Sequence, residues 1–144
     1  MTTLKFDPPQ LHALPIVGDD AGYPVNRVFC VGRNYAAHAA EMGGEVDREA
    51  PFYFTKAPAA AIASGATIPY PPGTADFHHE MELAVLIGAP AFRVAVSKAP
   101  EVILGYCAAL DMTRRDHQAE VIAKGLPWEV TKGFDHSAPV GPIS

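Results

Sequence analysis

The chain has 144 residues, of which 49% are hydrophobic, 19% charged and 9% aromatic, a composition typical of ordinary globular proteins. Its 16 acidic and 11 basic residues give a net charge of −5, which argues against a sequence-independent nucleic-acid or anionic-membrane surface. No apolar run approaches the roughly 18 residues of a spanning helix, and the N-terminus lacks the pattern of a secretory signal. These features predict a cytoplasmic protein.

Turn residues are frequent and are spread along the chain. The 14 prolines and 12 glycines favour many short strands with irregular loops. Residues 1–25 are interpreted as an extended N-terminal arm and residues 26–144 as one catalytic domain. Within that domain, the β-rich residues 27–31 predict a strand, and the alanine-dense residues 35–42 predict a short helix that ends at two glycines.

The later elements alternate strands with one further helix. Strands are predicted at residues 52–54, in an alternating segment over residues 78–87, and at the apolar residues 102–110. A helix is predicted from a capping box that begins at Thr113, with Gly125 as its stop. Cys30 and Cys107 lie in apolar strand-like segments and are interpreted as buried reduced thiols. The predicted class is a β-rich α+β fold.

The segment over residues 78–87 has two different faces, because side chains two positions apart in a strand point the same way. One face is apolar and is expected to pack on the core; it comprises His79, Met81, Leu83, Val85 and Ile87. The other begins with Glu80 and Glu82, which raise each other's pKa unless a cation neutralises them. A hard divalent cation is one solution, and an edge strand with both glutamates in water is the alternative.

Asp111 adds a third carboxylate at the end of the strand predicted over residues 102–110. Three carboxylates from two strands form an all-oxygen ligand set with room for water and substrate, which suits Mg²⁺ or Mn²⁺. His78 and His79 raise the alternative of zinc, but adjacent strand residues point to opposite faces and cannot both ligate one ion without distortion. The sequence therefore favours a hard-cation site.

A second group of polar residues lies on the predicted short helix. His38 and Glu41 are spaced i, i+3 and are therefore neighbours on one helix face. A carboxylate beside an imidazole orients the ring and raises its basicity, as a general base for water requires, whereas an exposed ion pair is the alternative. Arg33 and Tyr35 precede this helix and offer a cation and a hydrogen-bonding group to an anionic ligand.

The last third of the chain places cations beside apolar residues. Arg115 and Gln118 lie at the start of the second predicted helix, and Lys132 follows Trp128. A solvated surface would explain these charges, but the aromatic neighbours argue against full exposure. Lys56 is another cation beside apolar surface, and an arginine next to a carboxylate-bound metal is suited to hold a small oxo-acid.

The chain carries an ordered series of motifs. They are Gly32-Arg33-Asn34-Tyr35 with His38 and Glu41, Phe54-x-Lys56, His79-Glu80-x-Glu82-Leu83, Gly105-Tyr106, Asp111-x-Thr113-x-Arg115-Asp116-x-Gln118 and Lys132-x-Phe134-Asp135. From about residue 26 onward this series resembles the fumarylacetoacetate hydrolase family. Within that family, residues 116–118 and 132–139 look closest to the bacterial fumarylpyruvate hydrolases of aromatic-acid breakdown.

The resemblance implies a mixed sheet roll with short helices, incomplete at the C-terminus. The implied metal ligands are Glu80, Glu82 and Asp111. The expected ion is Mg²⁺, with Mn²⁺ or Ca²⁺ as alternatives. The implied catalytic residues are His38, Glu41 and Lys132, of which the first two form a water-activating pair on a lid helix. The residues implied to line the substrate pocket are Arg33, Tyr35, Lys56, Arg115 and Gln118.

The implied reaction is hydrolysis of a carbon–carbon bond in an acylpyruvate, with fumarylpyruvate giving fumarate and pyruvate. The implied partners are a small 2-oxo-acid substrate and a second copy in a homodimer, with neither nucleic acid nor membrane. Decarboxylation of a 2-oxo acid such as oxaloacetate, or isomerisation of an unsaturated 2-hydroxy-diacid, is the alternative. The pair of His38 and Glu41 favours hydrolysis, because neither alternative needs a water base.

Members of the family continue beyond the region of Gly141 and Pro142 with further strands, whereas this sequence stops at Ser144. We therefore expect either a fragment of a longer protein or a chain that is completed by another subunit. Unpaired strand edges and exposed apolar surface would then favour association. An inactive fragment or an interaction subunit is the alternative of another class.

Overall fold

The computed structural model describes residues 4–7, 12–35 and 51–144, and their regular structure consists mainly of short strands. The strands are β1 (Ala13–Pro15), β2 (Gly22–Pro24), β3 (Val28–Gly32), β4 (Phe52–Lys56), β5 (Ala61–Ala63), β6 (Phe77–His78), β7 (Met81–Ile87), β8 (Ile103–Leu110), β9 (Thr113–Arg114) and β10 (Ala138–Val140). The α-helices are α1 (Arg115–Ala123) and α2 (Glu129–Lys132), and 3-10 turns span Pro58–Ala60 and Val96–Val102. The predicted β-rich α+β class with short helices is confirmed.

The largest sheet has four strands in the order β5, β10, β8 and β7. Strand β10 runs parallel to β5 and antiparallel to β8, so the sheet is mixed. Its longest pairing is the antiparallel one between β7 and β8, where Met81 lies opposite Leu110 and Leu86 opposite Gly105. Strands β6 and β9 prolong this pairing in the same register, with His78 opposite Thr113. The β6–β7 and β8–β9 segments therefore form one long two-stranded ladder.

Two residues connect the two parts of that ladder. The backbone N–H of Asp111 donates to the carbonyl of Glu80 at 2.8 Å, and the N–H of Glu80 donates to the carbonyl of Asp111 at 3.3 Å. They form a hydrogen-bonded pair, so their side chains lie side by side on one face. The register thus brings together two acidic residues that are 31 positions apart in the sequence.

The core lies on one face of the main sheet and includes part of the predicted N-terminal arm. Its buried members are Leu14, Val25, Ala61, Leu86, Cys107, Val140 and Ile143. Residues 12–25 contain the hairpin of β1 and β2, and the N–H of Ile143 donates to the carbonyl of Pro15 at 2.9 Å. Residues 12–25 of the predicted arm therefore pack against the main sheet. Strands of three residues are too short to show a hydrophobic period.

The predicted core face of the β7 segment is wrong. In the described chain the buried side is the one with Ala84 and Leu86, whereas Met81 is 67% and Leu83 62% exposed. His79, which was expected on the core side, is exposed as well. Alternation shows that the two faces of a strand differ, but not which one meets the other elements. The face with Ala84 and Leu86, which has the smaller side chains, packs against Leu14 of β1 and Tyr23 of β2.

Several element boundaries match their predictions, and one helix signal does not. Strands β3, β4 and β8 fall within one or two residues of the predicted bounds, and Gly125 ends α1 with a φ of 63°. The capping box at Thr113 is wrong, because α1 begins at Arg115 without a side-chain cap and Thr113 belongs to β9. Cys30 and Cys107 are both free thiols. In the described residues, no helix is long and apolar enough to cross a membrane.

Candidate active site

Three carboxylates lie on one face of the long ladder. Glu80 lies opposite Asp111, and Glu82 lies opposite Ala109, two positions before Asp111. Because residues two apart on a strand share a face, Glu80, Glu82 and Asp111 all point to the same side. This is the arrangement predicted from the alternation and the strand end. Their role as metal ligands stays a prediction.

The ammonium group of Lys132 is the centre of the contacts on this face. Lys132 is the last residue of α2 and only 2% exposed. Its Nζ atom lies 2.7 Å from Glu80 Oε2, 2.7 Å from Asp111 Oδ2 and 2.7 Å from Thr113 Oγ1. These three oxygens use all three N–H donors of the ammonium, and all three bonds are charge-assisted because the donor is ionised.

A second buried lysine lies behind Asp111. Lys56, the last residue of β4, has a side chain that is 1% exposed. Its Nζ forms an ion pair with Asp111 Oδ1 at 2.8 Å and donates to Ser137 Oγ at 3.1 Å. It also donates to the backbone carbonyls of Met112 and Lys132. Each oxygen of the Asp111 carboxylate therefore faces its own lysine.

Arg115 supplies the third cation, at the start of α1. Its guanidinium donates to Glu80 Oε1 and to the side-chain oxygen of Gln118. Its Nε lies 3.4 Å from Nδ1 of His78, whose Nε2 lies 2.7 Å from Asp76 Oδ1. The backbone N–H of Arg115 also donates to the carbonyl of Asp76 at 2.8 Å. The arginine is thus held at both its main chain and its side chain.

The two glutamates have pKa values shifted in opposite directions. Burial raises the pKa of Glu80, but the Lys132 ammonium and the Arg115 guanidinium outweigh it and hold that pKa below its usual value. Burial also raises the pKa of Glu82, and the charges of Asp111 and Glu80 raise it further, against a lowering hydrogen bond from Tyr35. Negative charge at Glu82 is therefore the less well compensated of the two.

Two other groups facing this centre are perturbed by burial. The pKa of Lys56 is lowered, because burial disfavours its charge more than Asp111 favours it. Burial raises the pKa of the Cys30 thiol to about 11, with a further contribution from the negative charge of Asp111. Cys30 lies on β3 opposite Phe54 of β4. The raised pKa disfavours the thiolate form that a cysteine nucleophile requires.

The donor chemistry of this face fits a hard divalent cation. All three acidic side chains offer oxygen, and burial beside two other carboxylates leaves Glu82 in need of positive charge. Asp111 Oδ1 is buried and, despite its ion pair with Lys56, accepts no hydrogen bond of normal geometry. Within residues 4–7, 12–35 and 51–144, however, no three acidic, histidine or cysteine side chains are grouped closely enough to hold a metal ion. The Lys132 ammonium bridges Glu80 and Asp111 in this arrangement.

The residues predicted for the substrate pocket have different environments. Tyr35 is 44% exposed and its hydroxyl donates to Glu82, so it borders the acidic face. Arg33 is exposed, with a φ of 56° at the end of β3. Gln118 is buried at 2% exposure against Arg115. Lys56 is enclosed by other parts of the chain, which does not suit contact with a substrate.

The predicted catalytic pair, His38 and Glu41, lies outside the described residues. The described residues give no support to the zinc alternative. His78 contacts Asp76 and Arg115, and His79 is exposed. Lys132, whose catalytic role is implied by the resemblance, is the predicted catalytic residue that the structure does describe, and it lies in contact with the acidic face.

Sequence reasoning missed Thr113 and Ser137. Thr113 is two positions after Asp111, and this spacing places both side chains on the same face of a strand. The spacing is informative, but the sequence analysis interprets Thr113 as a helix cap. Ser137 accepts from Lys56 and donates to the carbonyl of Lys132 at 2.9 Å. No local pattern marks it, because it reaches the site through a fold-dependent contact with β4.

Comparison with known proteins identifies the family. A family model described as "Fumarylacetoacetate (FAA) hydrolase C-terminal" matches residues 27–144. The chain therefore belongs to the fumarylacetoacetate hydrolase family, whose members include hydrolases, tautomerases and decarboxylases. The resemblance seen in the motifs is confirmed.

Relatives with different activities are similar to this chain. A fumarylpyruvate hydrolase of Ralstonia sp is 50% identical over 99 residues, which cover 67% of this chain and 52% of that protein. A mitochondrial oxaloacetate tautomerase of Arabidopsis thaliana is 46% identical over 117 residues, which cover 81% of this chain and 52% of that protein. The chain spans about half the length of the curated relatives that it matches.

A solved structure confirms the fold. The crystal structure of fumarylpyruvate hydrolase from Pseudomonas aeruginosa in complex with Mn²⁺ and pyruvate has a TM-score of 0.90 and 46% sequence identity. The match covers 98% of this chain and 62% of that one. The described architecture is therefore the fumarylacetoacetate hydrolase type of mixed-sheet fold.

Proposed function

We propose that the protein containing this chain hydrolyses a carbon–carbon bond in an acylpyruvate, converting fumarylpyruvate to fumarate and pyruvate in aromatic-acid breakdown. The observation that carries the proposal is the single face on which Glu80, Glu82 and Asp111 lie around the buried ammonium of Lys132. The similarity to the Ralstonia hydrolase, and to a hydrolase crystallised with Mn²⁺ and pyruvate, supports this choice within the family.

A divalent cation, Mg²⁺ or Mn²⁺, is part of the proposal, with Glu80, Glu82 and Asp111 as its ligands. Bound there, it would supply Lewis-acid polarisation for the adjacent oxygens of a 2-oxo acid. Three oxygen ligands with remaining positions for water or substrate suit either ion. The Mn²⁺ in the Pseudomonas relative is consistent with this requirement.

The residues of the chain then have separate tasks. Arg115, at the start of α1, is suited to bind the carboxylate of the substrate, and buried Gln118 accepts from its guanidinium and orients it. Water deprotonated by the pair of His38 and Glu41 adds to the acyl carbonyl, and the carbon–carbon bond breaks. The bonding electrons pass to the pyruvate enolate, whose negative charge the ammonium of Lys132 stabilises before a proton converts it to pyruvate.

The proposal is tested by metal binding and turnover measured side by side. Loss of the fumarylpyruvate chromophore is followed with Mg²⁺ or Mn²⁺, and metal affinity is measured by calorimetry. Glu82→Ala should abolish both, whereas His38→Ala should keep metal binding and lose turnover. Glu101→Ala serves as the control, because Glu101 is an exposed carboxylate paired with Lys98. An unchanged rate for His38→Ala would refute the assignment of the water base.

Oxaloacetate chemistry is the second candidate function. The Arabidopsis tautomerase is about as similar to this chain as the hydrolases, and a curated relative from Dictyostelium discoideum is named an oxaloacetate decarboxylase. Neither tautomerisation nor decarboxylation needs a water base, so Lys132 and the acidic face would suffice. Oxaloacetate consumption that exceeds fumarylpyruvate cleavage, and that survives His38→Ala, would favour this candidate.

A further inference from the structure

Lys56 is a fully enclosed charged group beside the acidic face. Its side chain is 1% exposed, and its ammonium contacts four oxygens, all from this chain. The partners are Asp111 Oδ1, the hydroxyl of Ser137 and the carbonyls of Met112 and Lys132. Two of the four are backbone carbonyls, which a bound metal ion or substrate does not displace, whereas the donors of Lys132 all go to side chains of the acidic face.

Two of those partners belong to residues with direct roles in the proposed reaction. The carboxylate of Asp111 is held at both oxygens, by Lys56 at 2.8 Å and by Lys132 at 2.7 Å. A carboxylate with a single partner can rotate about its Cβ–Cγ bond, but one held on both sides is fixed in its plane. Lys56 therefore sets the direction in which Asp111 presents its oxygens.

The second partner is the main chain of Lys132. Lys132 is the last residue of the four-residue helix α2, and the last carbonyls of a helix have no partner within it. Lys56 donates to this carbonyl, and Ser137 Oγ donates to the same atom at 2.9 Å. The two bonds fix the backbone from which the Lys132 side chain reaches Glu80 and Asp111.

We propose that Lys56 is a positioning residue that fixes the Asp111 carboxylate and the Lys132 main chain, and that it does not bind the substrate. Its effect on catalysis rests on the proposed function. A lysine suits this task because its charge can pair with a carboxylate while its three donors serve a hydroxyl and two carbonyls. Outer groups that orient metal ligands in this way typically contribute about 10–100-fold to metal affinity or activity.

The test compares Lys56→Met with the wild type and with Lys98→Met, a control at an exposed lysine. Mn²⁺ affinity is measured by electron paramagnetic resonance without substrate, and kcat and KM for fumarylpyruvate are measured separately. Lys56→Met should weaken Mn²⁺ binding about 10-fold or more and lower kcat by a similar factor. KM should change by less than about 3-fold, because Lys56 does not touch the substrate. Lys98→Met should change none of these.

Two other results would overturn the inference. Unchanged Mn²⁺ affinity and kcat with a reduced thermal midpoint would make Lys56 merely structural, and a large rise in KM alone would make it a substrate ligand. If Lys56→Met fails to fold, Lys56→Gln keeps donors for the carbonyls but loses the ion pair, and the same outcomes apply. A wild-type protein without Mn²⁺ binding or turnover would instead refute the proposed function, so the two failures are distinguishable.

Discussion

Replacing Lys132 with methionine isolates the ammonium that joins the acidic face. Methionine keeps an unbranched side chain of similar length, so the change removes the charge and three donors with little loss of packing. In the wild type these donors lie 2.7 Å from oxygens of Glu80, Asp111 and Thr113. After the substitution, Arg115 still faces Glu80 and Lys56 still faces Asp111.

The expected cost follows from those contacts. A hydrogen bond to a charged group contributes about 1.5–3 kcal/mol. The Lys132 ammonium is charged, so its three bonds are all of this kind and their loss would cost at least about 4.5 kcal/mol. Because the remaining cations compensate both carboxylates in part, we expect about 3–4 kcal/mol, at the lower side of the range for a broken buried ion pair.

Urea unfolding in EDTA measures this loss, with Lys98→Met as the control at an exposed lysine. The control should change the free energy of unfolding by no more than about 0.5 kcal/mol. The pKa of Glu80 lies below its usual 4.5, so its pairing stabilises the fold above that pH and is lost as the pH falls through the lowered value. The difference between Lys132→Met and wild type should therefore shrink below pH 4.5. A loss under about 1 kcal/mol at pH 7 would refute the reasoning.

Two further substitutions test the electrostatics and the packing. Glu82→Gln should raise the urea midpoint of the metal-free chain at pH 7. Because the pKa of Glu82 is raised in the folded state, ionisation of Glu82 lowers the free energy of unfolding as the pH rises above 4.5. Glutamine cannot ionise, so this loss of stability disappears. A lower midpoint at pH 7 would contradict this sign. Gly105→Ala should cost about 1–3 kcal/mol in urea unfolding, because the new Cβ would lie 2.8 Å from the carbonyl oxygen of Ser144 and 2.9 Å from Ile143. An unchanged midpoint would show that the C-terminal residues move away without cost.

The strands that bear the site could be predicted because their signals are local. The apolar run that ends at Asp111 and the alternation through Glu80 and Glu82 predicted two strands and the shared face of the three carboxylates. The alternation does not show which other elements pack against each face of the β7 strand. Met81 and Leu83 are exposed in the described chain, although their composition favours burial, because packing against β1 and β2 is decided by tertiary contacts.

The cations could not be predicted in the same way. Lys56 and Lys132 lie 76 positions apart, and nothing in either local sequence indicates that both reach Asp111. The resemblance implied a catalytic role for Lys132 and a place in the substrate pocket for Lys56. In the structure Lys132 contacts the acidic face, whereas Lys56 is enclosed behind Asp111. Thr113 shows the opposite case. Its spacing from Asp111 was informative, but its residue type also fits a helix cap, and the cap was the wrong interpretation.

The distribution of the site along the chain has a consequence for its stability. Its charged groups come from the end of β4, the β7–β8 ladder and the end of α2, so no single segment forms the site by itself. The ion pairs of Lys56 and Lys132 with Asp111 therefore connect elements that are distant in sequence. Opening the site requires those elements to come apart together. The backbone N–H of Asp111 should accordingly exchange with solvent as slowly as those of the core strand β8.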